Sequence, residues 1–138
     1  MSTIDQSLIL LINLSKAQAV VSRRFDKLNI YGIGFTEFII LYLLHESAEG
    51  KLRRIDLAES TGLTASGVTR LLLPMEKTGL VGREADKRDA RVSYATLTDA
   101  GKQIFSNTKN AAENLAAEIL PPDKLKKADQ LIGLLAGL

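Results

Sequence analysis

Gly62 and Gly79 divide the middle of this 138-residue chain into segments too short to fold alone. Arg53 to Ser60 carries a short helical pattern through Ile55, Leu57 and Ala58, and Gly62 stops it. Thr64 then offers its side-chain oxygen to an orphan N–H of a new first turn. The helix it opens runs through Val68, Leu71, Leu72 and Met75, and Gly79 ends it as a left-handed C-cap residue. Two β-like runs follow, Leu80 to Glu84 and Arg91 to Leu97. They flank the charged stretch Asp86-Lys87-Arg88-Asp89, which reads as the tip of a hairpin.

The remaining chain is helical in pattern. From about Thr3 to Leu28, Ile4, Leu8, Leu11, Ile12, Ser15 and Ala19 recur at helical spacing. Ile9, Leu10, Leu14, Ala17, Val21 and Phe25 form a second apolar set. A helix apolar on two faces needs cover on two sides, and a second subunit is the natural source of one. Gly32 and Gly34 mark a break, and Thr36 is the expected N-cap of the nearly all-apolar helix Glu37 to His45. Glu49-Gly50-Lys51 reads as a connection. Thr98 caps a further helix, Asp99 to about Ile119. Pro121-Pro122 breaks it, and Pro122 is suited to open a last helix with Leu125, Ala128, Leu131, Ile132 and Leu135 on one stripe.

Helix, helix, glycine turn, helix and hairpin is the order of a winged helix-turn-helix. Counting from Arg54, Ala58 is fifth, Gly62 ninth and Val68 fifteenth. Ala58 is small where two helices cross, and Gly62 takes a conformation that strains a Cβ. Val68 and Leu71 point to the core, which leaves Ala65, Ser66, Gly67, Thr69 and Arg70 for solvent or DNA. Small residues at the helix start let the backbone approach a groove floor, and the first-turn N–H groups favour phosphate. Arg70 is the residue here that can grip a guanine edge with two hydrogen bonds.

Net charge is only +2, from 18 basic and 16 acidic side chains. Residues 51–91, however, hold nine basic and six acidic side chains, a local +3. Lys51, Arg53 and Arg54 fit phosphate contacts. At the hairpin tip, acids alternate with bases in Asp86-Lys87-Arg88-Asp89-Ala90-Arg91. Asp86 or Asp89 can pair with Arg91 and stiffen the hairpin, leaving Arg88 to enter a minor groove.

Composition excludes several chemistries. The chain has no cysteine and one histidine, His45. Disulfides, thiolate nucleophiles, thiol redox sensing and Cys/His zinc sites are therefore ruled out. No Gly-rich phosphate loop or nucleophile elbow is present, so no enzyme, metal or cofactor is expected. The run Leu8 to Leu14 falls short of the ~20 residues that cross a bilayer. The start Met1-Ser2-Thr3-Ile4-Asp5 lacks a signal's basic region, and the expected location is cytoplasmic.

The stretch from Leu63 to Val81, the wing motif Asp86-x-Arg88-Asp89-x-Arg91 and Leu97-Thr98-x-x-Gly101 together resemble the MarR family of bacterial transcriptional regulators. The resemblance implies a mainly α winged helix-turn-helix protein with long N- and C-terminal dimerisation helices. Its divisions would be an N-terminal dimerisation helix at 1–34, a DNA-binding domain at 35–98, and C-terminal helices at 99–138. A homodimer would bind double-stranded DNA at a pseudo-palindromic operator, probing it with the recognition helix 64–78 and the wing 80–97. The DNA-binding residues would be Thr64, Ala65, Ser66, Gly67, Thr69, Arg70, Arg53, Arg54, Lys87, Arg88 and Arg91. By position, Asp89 and Arg91 fall on the wing's structural pair. The role implied is that of a repressor released by a small aromatic or anionic effector. Phe35, Phe38, Tyr42 and His45 are candidate pocket residues, although core packing also accounts for each.

Pro74 departs from the pattern. It lacks the N–H that would bond the carbonyl of Arg70, so a kink or a local 3₁₀ step is expected there. A winged helix that binds protein partners without reading DNA sequence is the alternative. Such a module needs no arginine at its wing tip.

Overall fold

A computed structural model describes residues 4–138. In chain order it forms α1 (Gln6–Arg24), a 3₁₀ helix (Phe25–Tyr31), α2 (Phe35–Glu46), β1 (Lys51–Arg53), α3 (Arg54–Thr61) and α4 (Ala65–Lys77). Strands β2 (Val81–Ala85) and β3 (Ser93–Leu97), α5 (Asp99–Ile119), a 3₁₀ turn (Pro122–Lys124) and α6 (Ala128–Ala136) follow. The chain divides into two compact units, one of residues 28–109 and one of residues 1–27 with 110–138.

Unit 28–109 is the winged helix-turn-helix. Its core gathers Ile40, Leu41 and Leu44 from α2, Leu57 from α3, Val68, Leu72 and Met75 from α4, Leu80, Val81 and Ala95 around the sheet, and Phe105 from α5. Each is an apolar face of a short element that no partner within that element could cover. Helix α3 ends where Gly62 turns left-handed at φ +75°. Helix α4 starts where the Thr64 hydroxyl accepts the Gly67 N–H at 3.0 Å, and Gly79 follows its end at φ +79°.

Three expectations are corrected here. The N-cap of α2 is Gly34, not Thr36, which lies inside the helix; the Glu37 carboxylate reaches back to accept the Gly34 N–H at 2.9 Å. Lys51 belongs to a strand rather than a connection. β1 pairs antiparallel with β3, Leu52 opposite Ala95, in the sheet order β1-β3-β2. Of the kink or 3₁₀ step expected at Pro74, the 3₁₀ step is absent: α4 is α-helical from Ala65 to Lys77. Pro74 and Arg70 are both exposed, so the carbonyl that loses its partner lies on the wet side of the helix.

The hairpin registers Val81 against Leu97 and Ala85 against Ser93. Thr98 closes it. Its hydroxyl lies 2.6 Å from the Gly79 carbonyl oxygen and 2.9 Å from that of Leu80, and it accepts the Gly101 N–H at 3.0 Å to cap α5.

In the unit of residues 1–27 and 110–138, the expected start of α1 at Thr3 lies outside the described residues. The helix begins at Gln6 because the Asp5 carboxylate accepts the Leu8 N–H at 2.9 Å. It ends at Arg24 rather than Leu28, where the 3₁₀ helix takes over. None of its residues is fully buried, and Leu8 to Ile12 are each about half exposed. The last helix is also corrected. Pro122 opens only a 3₁₀ turn, in which Leu125 N–H bonds the Pro122 carbonyl, and α6 starts at Ala128. Leu131, Leu134, Leu135 and Leu138 face Leu10, Leu11, Leu14 and Ala17 of α1 across an apolar groove of about 270 Å³. Among the described residues, no single helix is long and apolar enough to cross a membrane.

Candidate nucleic-acid interface

The first turns of α4 present Ala65, Ser66 and Arg70 to solvent, while Val68, Leu72 and Met75 are buried behind them. The spacing of three and four residues separates these two faces. Gly67 does more than stay small for a ligand. A Cβ there would stand 3.2 Å from the capping oxygen of Thr64, so the glycine keeps the cap intact. Arg70 lies along its own helix, with Nε 3.5 Å from the Ser66 carbonyl, and no ion pair engages it among the described residues.

The wing tip is built by Asp89. Its carboxylate accepts the Arg91 backbone N–H at 3.0 Å and grips the Arg91 guanidinium at 3.1 and 3.2 Å. Between the two acids left open by the sequence, Asp89 is thus the partner of Arg91. The Arg91 side chain first, and its backbone N–H second, hold the Asp89 carboxyl below the usual carboxylate range. Asp86 N–H and Val92 N–H bond the carbonyls of Val92 and Asp89 and close the loop. Lys87 and Arg88 project from it, exposed, and no hydrogen bond or ion pair engages either among the described residues.

Three cations around β1 and α3 are engaged by carboxylates. Arg53 pairs with Asp56 at 3.2 Å, and that carboxylate raises its pKa further. Arg54 donates to the Thr69 hydroxyl at 3.4 Å and approaches Glu76 at 3.8 Å. Lys51 lies 3.3 Å from both Glu49 and Glu84 and 4.8 Å over the ring of Tyr94. Hydrogen bonds to Glu49, then Glu84, hold its ammonium above the ordinary lysine value. Sequence reasoning offered Lys51, Arg53 and Arg54 as phosphate contacts without these acidic partners. It also missed Glu76 and Arg83 as organisers: the Arg83 guanidinium bonds Glu76 at 3.2 Å. The signal was present, since Glu76 is seven residues beyond Thr69 and falls on the same helical stripe.

The aromatic candidates gather elsewhere in the unit. Phe38 stacks on Phe105 at 5.3 Å, His45 lies 4.8 Å from that ring and Tyr42 6.4 Å. Phe105, buried on α5, was not singled out from sequence. Phe35 sits half-buried in the first turn of α2. A cavity of about 450 Å³ is lined by His45, Glu49, Gly50, Leu97, Lys102 and Ser106; of the four candidates only His45 borders it.

Residues 31–92 match the family model described as MarR family. The chain is 29% identical over 129 residues to the HTH-type transcriptional regulator MgrA of Staphylococcus aureus, covering 90% of this chain and 85% of that protein. Among solved structures it is similar to Sco3205, a MarR family transcriptional regulator from Streptomyces coelicolor in complex with DNA. That match has a TM-score of 0.82 at 22% identity and covers 99% of this chain and 89% of that one. It is also similar to CouR from Rhodococcus jostii RHA1 bound to p-coumaroyl-CoA, with a TM-score of 0.77 at 22% identity and coverage of 91% and 88%.

Proposed function

We propose that the chain is a transcriptional regulator of the MarR family that binds double-stranded DNA as a homodimer and acts as a repressor. One observation carries the DNA reading. Arg70 and Lys77 on the recognition helix and Lys87 and Arg88 on the wing tip have no ion pairs among the described residues, whereas Arg53, Arg54, Arg83 and Arg91 are held by carboxylates. Cations left unpaired at two separate projections suit a surface that meets polyanion in two places. The exposed start of α4, with Thr64, Ala65, Ser66, Gly67, Thr69 and Arg70, would enter a major groove. Arg88, with Lys87 beside it, would enter the flanking minor groove. Arg53, at the start of α3, would lie beside the phosphate backbone in this arrangement, while Arg54 next to it is turned toward Thr69 and Glu76.

Two copies would cover the half-exposed leucines of α1 and α6, a run of exposed large apolar side chains of the kind that marks an interaction surface. Dimerisation through residues 1–34 and 99–138 would set two winged domains on one pseudo-palindromic operator. The ligand in the CouR structure supports a small-molecule effector, for which Phe35, Phe38, Tyr42 and His45 remain the candidates. Such a regulator acts where the chromosome is, in the cytoplasm of a bacterial cell.

Titration of the protein against its own promoter DNA at two salt concentrations tests this. Affinity should fall steeply with salt as counterions are released. Salt-insensitive or absent binding would leave the protein-interaction module as the better account.

A further inference from the structure

We propose that Arg54 and Glu76 fix the hydrogen-bonding polarity of Thr69, and with it one base preference of the recognition helix. This rests on the DNA-binding function proposed above. A threonine hydroxyl has one hydrogen to donate and two lone pairs to accept with. In helices it often turns back to the carbonyl four residues earlier. Three threonines here do so: Thr61 to Leu57 at 2.6 Å, Thr78 to Pro74 at 3.1 Å and Thr108 to Ile104 at 2.7 Å.

Thr69 makes no such bond among the described residues. Its oxygen accepts from Arg54 Nη1 at 3.4 Å. With one lone pair engaged by a guanidinium, the hydroxyl hydrogen is turned away from Arg54 and polarised to donate more strongly, while the lone pair that remains accepts less readily. The arginine is itself held. Its Nη2 lies 3.8 Å from Glu76 Oε1, and Arg83 from β2 grips the same carboxylate at 3.2 Å. The side chains of Arg54 and Glu76 are only 30% and 22% exposed, so this contact is shielded more than an ordinary surface pair. Arg83, Glu76, Arg54 and Thr69 thus form one connected line from the wing to the reading face.

A hydroxyl presented as a donor suits base edges that accept. In the major groove guanine offers N7 and O6, adenine N7 and thymine O4, whereas cytosine presents its amine. Thr69 would therefore disfavour cytosine at the base it meets, since the cytosine amine needs the weakened acceptor. Arg54 is a positioning residue in this scheme: it acts on DNA through Thr69.

The experiment selects binding sites from a pool of DNA duplexes randomised across one half-site, using the full-length wild type and the variants R54K, E76Q, T69S and T69V. The wild type should select against cytosine at one position. R54K, E76Q and T69V should relax that position by about tenfold while the other positions hold. T69S, which keeps the hydroxyl, should retain the preference. The double variant R54K with T69V should relax it no further than either alone. An intact preference in R54K overturns the proposal. So does a loss of affinity in R54K that is uniform across sequences with a shallower salt slope, which would make Arg54 a phosphate contact. If the wild type selects no sequence at all, the DNA-binding function fails first and this proposal falls with it.

Discussion

Gly101 lies directly against the backbone carbonyl of Leu80. A Cβ at position 101 would overlap that oxygen, stand 3.2 Å from the carbonyl carbon and come within 2.9 Å of a Leu97 methyl. The first turn of α5 therefore packs on the start of β2 with no space for a side chain, beside the Thr98 hydroxyl that bridges the Gly79 and Leu80 carbonyls. Gly101→Ala should destabilise by about 2 kcal/mol or more, since backbone, not a movable side chain, must give way. Thr98→Ala should cost about 1 kcal/mol through the lost cap. Denaturant unfolding followed by circular dichroism measures both. A Gly101→Ala protein as stable as wild type would refute the close contact.

Thr64→Ala should lower stability by about 1 kcal/mol, because the Gly67 N–H loses its acceptor. Thr64→Ser should keep most of it. Equal stability of the alanine and serine variants would show that the cap contributes nothing.

Arg88→Ala should weaken DNA binding and leave the melting temperature unchanged, because the side chain is exposed and holds nothing in the folded chain. Arg70→Ala should cost about 1–3 kcal/mol and relax preference at one base pair. Fluorescence anisotropy against matched and mismatched duplexes separates these effects. Unchanged affinity in Arg88→Ala would remove the wing tip from recognition.

The order of the wing should depend on pH through Asp89. Its folded pKa lies below the ordinary value, so its contribution is fully present above about pH 4 and is lost as pH falls through the depressed folded value. NMR shifts of the Arg91 and Val92 amides, followed from neutral pH downward, should move together through that acid window. Asp89→Asn should show the loosened wing already at neutral pH. Identical spectra for the two proteins at neutral pH would contradict this.

Leu11→Glu combined with Leu134→Glu places charge on the apolar faces of α1 and α6. The pair should shift the protein from dimer to monomer in analytical ultracentrifugation and lower DNA affinity with it. A variant that still sediments as a dimer would place the subunit interface elsewhere.

Features set by a few neighbouring residues were readable directly from the sequence. Gly62 and Gly79 adopt left-handed backbone where the helical patterns stop, and Thr64, Thr98 and Asp89 bond groups within three residues of themselves. Helix α2 started earlier than expected because Glu37, a residue that also favours helix interiors, reached back to Gly34. The double apolar face of α1 was equally plain, because periodicity alone reveals it.

What stayed hidden depends on residues far apart in the chain. β1 is three residues long, and only its partner β3, more than forty positions later, makes it a strand. Which arginines remain unpaired could not be counted from composition, because Arg83, Glu76 and Arg54 meet only once α3, α4 and β2 are packed. Sequence by itself determined the helix-turn-helix and wing, since caps, glycine turns and apolar stripes are local chemistry. Tertiary packing decided which charges remain unpaired, because an ion pair between distant residues exists only after the chain has brought them together.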